Sequence, residues 1–417
     1  MEEIKKILRV IQLNIVVFFK WIIIAVITGL VGGLVGSIFH LSVEFATRTR
    51  IENPWILYLL PFGGLVIVFL YKKGMNEDPG TNLVIKSIRT DETVPFLMAP
   101  LIFIGTVITH LLGGSAGREG AALQLGGSIG SQIGNLIGLD EKDMHLVTLC
   151  GMSGVFSALF GTPLTATFFS MEVISVGIIH YSAFIPCIVS SLSAYAVSLF
   201  FGLAPVRFYL SVFPELSLIN ILKVIILGSL CAVVSIIFCE VLHKSNKYLK
   251  KLITNSYLRV FIGGTIIVFL TLIIGSRDYN GAGMNIISNA INGSARPEAF
   301  ILKMIFTAIT ISVGYKGGEI VPTFFIGSTF GCVFGSFLGL DPCFGAAVGL
   351  VALFCGVVNT LITSIILSIE LFGAGNIILF ALACGVSYME SGYYSLYSSQ
   401  KIMYSKIKAE YINRNAK

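Results

Sequence analysis

Two stretches of this chain repeat one another, and each sets a glutamate in glycine-rich text that opens a long apolar run. The first reads Gly117-Arg118-Glu119-Gly120, continues to Gly127-Ser128 and closes on Gly138-Leu139-Asp140. The second reads Gly317-Gly318-Glu319-Ile320, continues to Gly327-Ser328 and closes on Gly339-Leu340-Asp341. A further pair follows: Thr162, Thr165, Ser170 and Glu172 align with Thr360, Thr363, Ser368 and Glu370 across mostly apolar text. Ionisable residues at membrane depth are functional candidates by default. A duplicated one predicts a chain of two halves that share an ion site near the midplane.

Composition places the chain in a membrane. It is 55% hydrophobic and 12% charged, where a soluble domain carries about a quarter charged residues. Long apolar runs recur at Trp21–Ile38, Ile56–Tyr71, Met98–Leu112, Ile219–Cys239, Val260–Ile274, Ile301–Val313 and Ala346–Ile369. A helix needs about 20 apolar residues to span a bilayer. Several of these runs are shorter or interrupted, which predicts an all-α polytopic bundle of long, short and broken helices. The expected division is an N-terminal amphipathic cytoplasmic helix over 1–19, a first membrane repeat over 20–200, a second over 216–390, and a closing helix with a basic cytoplasmic tail over 391–417. Pro205, Pro214 and Glu215 break the apolar text between the repeats. Much of the net charge of +6 lies at the ends, in Lys5, Lys6 and Arg9 and in Lys401, Lys406, Lys408, Arg414 and Lys417. Basic flanks stay inside, so both termini are expected in the cytoplasm, where they also meet anionic lipid.

Other classes lack their signatures. No basic stripe with interleaved aromatics points to nucleic acid. The 8 cysteines form no C-x-x-C pair and the 5 histidines are dispersed. Neither H-E-x-x-H nor a P-loop occurs, so no metal or cofactor is expected. G-x-S-x-G matches at Gly113–Gly117 and Gly126–Gly130 sit in membrane-helix text without the strand a nucleophile elbow needs. An enzyme is not expected.

Glycine-rich text opening a helix leaves backbone N–H groups exposed at the positive end of the dipole, which makes an anion site. Both glutamate motifs fit, as does Asp78-Pro79-Gly80-Thr81-Asn82. An ionised carboxylate there occupies the site itself, whereas a protonated one leaves it, so anion entry and proton uptake compete at one place. The plain alternative is a glutamate that complements the dipole of its own helix, worth about 0.3–1 kcal/mol. A cation/proton antiporter would instead set carboxylates at unwound helix centres or C-terminal ends; both glutamates open helices, where the dipole repels cations.

Together with Tyr397 in Leu396-Tyr397-Ser398, the motifs Gly117-Arg118-Glu119-Gly120 and Gly317-Gly318-Glu319-Ile320-Val321-Pro322 resemble the CLC family of chloride channels and anion/proton exchangers. The resemblance implies an inverted-repeat bundle of about eighteen full and partial helices, working as a homodimer with a pathway in each subunit. By it, Glu119 is the external gating glutamate, and Tyr397 with Thr81 or Asn82 supplies side-chain donors to the central anion. Gly120, Ile320 and Val321 supply the backbone around it. The alternative for Tyr397 is an interfacial belt tyrosine, in company with Tyr388, Tyr393 and Tyr394. The chain departs from the chloride pattern at Ala121 (usually proline), at Glu319 (usually apolar) and at Val173, where many proton-coupled members have a second glutamate. These departures look like the branch of fluoride/proton antiporters that export fluoride across the bacterial plasma membrane, in which Glu319 joins Glu119 in proton coupling. Thr81 stands where that branch usually has Met or Asn, and a threonine hydroxyl donates as a serine does. The alternative is therefore a chloride/proton exchanger, or a passive chloride channel, of the same fold.

Overall fold

The computed structural model describes residues 1–75, 80–90, 92–210 and 212–417. The first half runs α1 (Glu2–Glu52), α2 (Leu60–Gly74), α3 (Gly80–Ser87), α4 (Met98–Leu112), α5 (Glu119–Leu136), α6 (Glu141–Phe160), α7 (Pro163–Glu172) and α8 (Phe184–Phe200). The second runs α9 (Leu218–Leu252), α10 (Ser256–Ile274), α11 (Met284–Ile291), α12 (Ala299–Val313), α13 (Ile320–Phe337), α14 (Pro342–Val358), α15 (Leu361–Phe372) and α16 (Ile377–Glu390). Lengths repeat in step. α3 and α11 have 8 residues each, α4 and α12 have 15, and α5 and α13 have 18. Among the described residues 7 helical stretches are long and apolar enough to cross a membrane. Large apolar side chains such as Phe45, Phe62, Phe69, Phe269 and Ile273 lie on the outside, as lipid contact demands. The protein is an integral membrane protein, mostly helical.

The repeated text is repeated structure. Each Gly-Leu-Asp ends one helix and starts the next. Gly138 and Gly339 take left-handed backbone at φ 67° and 71°. Asp140 then accepts from the Asp143 amide, and Asp341 from those of Cys343 and Phe344, satisfying N–H groups that a helix start leaves open. Glycines then let the helix pairs close. A Cβ at Gly151 of α6 would stand 2.1 Å from the Gly126 carbonyl of α5, and one at Gly349 of α14 2.2 Å from the Gly327 carbonyl of α13. Small residues suit membrane interfaces, where van der Waals packing replaces the hydrophobic effect between helices. The Thr…Glu repeats of α7 and α15 cap each other. Glu172 accepts from the Ile362 and Thr363 amides and the Thr363 hydroxyl, and Glu370 accepts from the Leu164 and Thr165 amides.

Two expectations fail at the ends. No separate amphipathic helix occupies 1–19, because α1 continues without a break from Glu2 to Glu52; its apolar text holds no Gly or Pro before Gly29 to interrupt it. No closing helix follows α16. Gly392 turns left-handed at φ 58° and stops the helix. After an irregular segment, β2 (Lys401–Tyr404) and β3 (Tyr411–Asn415) form an antiparallel hairpin, and β2 also pairs in parallel with β1 (Ser175–Val176) after α7. Alternation buries Ile402 while Lys401 and Met403 stay partly exposed, a strand pattern rather than a helical one.

Candidate anion and proton site

The two motifs meet. Gly117 donates its amide to the Gly318 carbonyl at 2.7 Å, and Gly318 returns the bond to Gly117 at 2.8 Å. The starts of α5 and α13 are thereby joined back to back. A Cβ at Gly318 has no room, standing 2.4 Å from the Gly120 nitrogen, and one at Gly117 would stand 2.3 Å from the Glu119 carboxylate and displace it.

Glu119 is fully buried at this junction. Its Oε2 accepts from the Arg118 amide at 3.0 Å and from the Val321 amide, in the other half, at 3.1 Å. Its Oε1 has no partner among the described residues. The carboxylate thus sits where amides from both helix starts converge, which is the place an anion would take. The Arg118 guanidinium turns elsewhere, donating to the Leu159 carbonyl at 3.4 Å and lying over the Phe160 ring.

A cavity of about 560 Å³ borders the second motif at Gly317 and Glu319. Its inner end is bordered by Thr81, Gln124, Glu319 and Tyr397, and its outer part by Lys72, Lys250 and Arg259. Thr81, Gln124 and Tyr397 are 9%, 5% and 2% exposed, whereas Lys72 and Lys250 are exposed. The inner groups converge. A Cβ at Gly120 would lie 3.3 Å from Glu319 Oε2 and 3.4 Å from Thr81 Oγ1. The Tyr397 hydroxyl has no partner among the described residues. Tyr397 is carried by an irregular segment pinned on several sides: Leu396 donates its amide to the Val357 carbonyl, Tyr397 to the Ser395 hydroxyl and Gln400 to the Tyr397 carbonyl. It is no belt tyrosine.

Glu119, Gly120, Ile320 and Val321 are all buried at the junction, and Thr81, Glu319 and Tyr397 line the cavity beneath it. Asn82 borders the same cavity, but its Oδ1 accepts the Ser399 amide at 2.9 Å, and Arg89 donates to the Ser399 carbonyl. Asn82 therefore helps to hold the tyrosine segment. Asp78 and Pro79, the start of the third glycine turn, lie outside the described residues. Sequence reading passed over Gln124, whose Nε2 donates to Thr81 Oγ1 at 3.1 Å. Its signal was present: a lone carboxamide inside the apolar text Ala121-Ala122-Leu123-Gln124-Leu125.

Residues 63–392 match the voltage gated chloride channel family. The chain belongs to the CLC family. This CLC chain is 33% identical over 413 residues to a chloride/fluoride channel protein of Pseudomonas syringae pv. tomato, covering 97% of this chain and 91% of that one. It is 27% identical over 396 residues to an H(+)/Cl(-) exchange transporter of Vibrio campbellii, covering 85% and 82% of the two chains. Its structure superposes on the crystal structure of a CLC-type fluoride/proton antiporter with a TM-score of 0.88 at 32% identity, covering 92% of this chain and 98% of the other. A slow cyanobacterial Cl-/H+ antiporter shares the fold, with a TM-score of 0.77 at 21% identity, covering 89% and 94%.

Proposed function

We propose that this CLC protein is an anion/proton antiporter that exports fluoride from bacterial cells in exchange for protons. The observation that carries the reading is the Glu119 carboxylate, held by the Arg118 and Val321 amides at the meeting of the two halves. Ionised, Glu119 fills the anion's place and closes the path. Protonated from outside, it gives up its charge-assisted bonds to those amides and withdraws, and the anion moves into their reach. Tyr397 and Thr81, with the backbone at Gly120, Ile320 and Val321, hold that anion, while Asn82 positions the tyrosine segment. Glu319, bordering the same cavity, is the second proton station, so that the inward proton gradient drives the anion out. The likeness to proteins described as a chloride/fluoride channel and a fluoride/proton antiporter supports fluoride. A small, strongly hydrated ion needs close donors to replace its water, and the buried inner end of the cavity suits it.

The remaining assignments rest on the family and on charge. The working unit is a homodimer with one pathway per subunit, set in the plasma membrane. The basic ends support a cytoplasmic position for both termini. The threonine hydroxyl at Thr81 favours a second reading, chloride/proton exchange on the same machinery. Glu319→Gln separates the branches. On the fluoride reading, its vesicles lose proton-coupled fluoride transport. A Glu319→Gln protein that still couples normally makes Glu319 structural and moves the reading to the chloride exchanger.

A further inference from the structure

We infer that Gln124 is a positioning residue for the transported anion, acting by fixing the Thr81 hydroxyl as a donor into the cavity. The inference rests on the antiport reading only for which anion is moved; the geometry stands apart from it. Gln124 lies one helical turn beyond Gly120 in α5, on the same face. Long helical side chains lean back toward the N-terminus, and Gln124 reaches α3 there, its Nε2 donating to Thr81 Oγ1 at 3.1 Å. A hydroxyl has one proton and two acceptor positions. With Gln124 donating to the oxygen, the threonine proton must point away from it.

The only acceptor that proton finds among the described residues is the Gly120 carbonyl, at 3.3 Å. Ordinary O–H···O bonds are about 2.7–2.8 Å, and the first turn of α5 draws on the same carbonyl. The bond is long and easily exchanged for a better acceptor. Gly120 also stands beside two residues that line the cavity, since a Cβ there would lie 3.3 Å from Glu319 Oε2 and 3.4 Å from Thr81 Oγ1. An anion arriving there takes the threonine proton's hydrogen bond. The amide behind the hydroxyl strengthens it, because chained hydrogen bonds polarise one another. Fluoride, the smaller and more basic halide, gains more from a polarised short donor than chloride does. Gln124 thereby contributes to the choice of anion without being its ligand. A glutamine that merely tied α3 to α5 would stabilise the fold and leave the ratio of the two halides alone.

The test is calorimetric binding of sodium fluoride and sodium chloride to the purified full-length protein, with Gln124→Leu, Gln124→Glu, Thr81→Val and the double variant Gln124→Leu/Thr81→Val. Loss of one supporting hydrogen bond predicts roughly a fivefold weaker fluoride Kd in Gln124→Leu, with the chloride Kd changed less. Gln124→Glu, which accepts where glutamine donates, keeps the size of the side chain and weakens fluoride further; it carries the test if Gln124→Leu does not fold. In the Thr81→Val background, Gln124→Leu adds less than about twofold, since the two act through one hydroxyl. Wild-type fluoride affinity in Gln124→Leu, equal weakening of both halides, or full additivity in the double variant overturns the inference. Absence of proton-coupled fluoride flux in the wild type overturns the antiport reading instead, and the calorimetry still decides the role of Gln124.

Discussion

Replacing Glu119 by glutamine removes the charge and keeps the shape, so it isolates what the carboxylate does at the junction. In the wild type, Oε2 accepts two amide hydrogen bonds, at 3.0 and 3.1 Å. Hydrogen bonds to a charged group contribute about 1.5–3 kcal/mol net, and neutral ones about 0.5–1.5 kcal/mol. The amide oxygen of a glutamine thus gives up about 1–1.5 kcal/mol per bond, or about 2–3 kcal/mol over both. At about 1.4 kcal/mol per factor of ten, the balance between side chain and anion shifts roughly 30- to 150-fold toward the anion. The glutamine also carries no titrating proton. Glu119→Gln should therefore bind fluoride more tightly by at least an order of magnitude in calorimetry, and in vesicles should move anion with no accompanying proton. Glu119→Gln vesicles that still acidify in step with fluoride efflux, or unchanged affinity alongside unchanged flux, would refute the gating role.

Other parts of the site respond separately. Gly117→Ala places a Cβ 2.3 Å from the Glu119 carboxylate, a flexible group that can leave, so this variant should fold and leak anion with weakened proton coupling in the same flux assay. Gly318→Ala meets the Gly120 and Glu119 nitrogens at 2.4 and 2.9 Å; backbone cannot leave, and size-exclusion chromatography should show aggregated or poorly expressed protein. Glu172→Gln keeps only part of a three-bond cap on α15 and should lower stability by about 2–4 kcal/mol, read as a fall in Tm, with fluoride/proton coupling intact; loss of coupling instead would give Glu172 a place on the proton path. In the C-terminal hairpin, Lys406 meets Asn359 and the Ser391 hydroxyl and lies over the Tyr388 ring. Burial pulls its ammonium down to about 7. The folded state thus binds this proton more weakly than the unfolded chain does. Docking is unburdened above the ordinary lysine range near 10.5, weakens as pH falls toward 7, and changes no further below it. Amide exchange in β2 and β3, corrected for its intrinsic pH dependence, should show protection rising between pH 7 and 10 in the wild type. Lys406→Met should flatten that slope, and an unchanged slope would remove Lys406 as its cause.

The halves, the membrane setting and the junction were legible because each leaves a local mark. Gly-Leu-Asp is both a helix stop and a helix cap, so its two copies at Gly138 and Gly339 announced the same turn twice. The glutamates stood out against apolar text, and their glycines meant close backbone approach, which the Gly117–Gly318 pairing realises. What stayed hidden depends on distant partners. Glu172 and Glu370 showed as aligned letters, but nothing local says that each caps the helix bearing the other. Thr81 and Asn82 are adjacent in the chain and similar in chemistry. Only the fold turns one toward Gln124 and sends the other to Ser399. A closing helix with a basic tail is expected from the sequence over 391–417, whereas Gly392 and the burial of Ile402 make a hairpin there, whose pairing edge lies far back at Ser175.

Antiport is the coupled movement of two ions, and recording both at once puts it to the test. Purified protein is reconstituted into vesicles loaded with fluoride or with chloride. A fluoride- or chloride-selective electrode and a pH electrode then follow each anion and the protons together. Fluoride should leave as protons enter in fixed proportion, with chloride efflux far slower. Comparable, proton-coupled efflux of both halides would contradict fluoride selectivity, and anion efflux with no proton movement would contradict antiport itself.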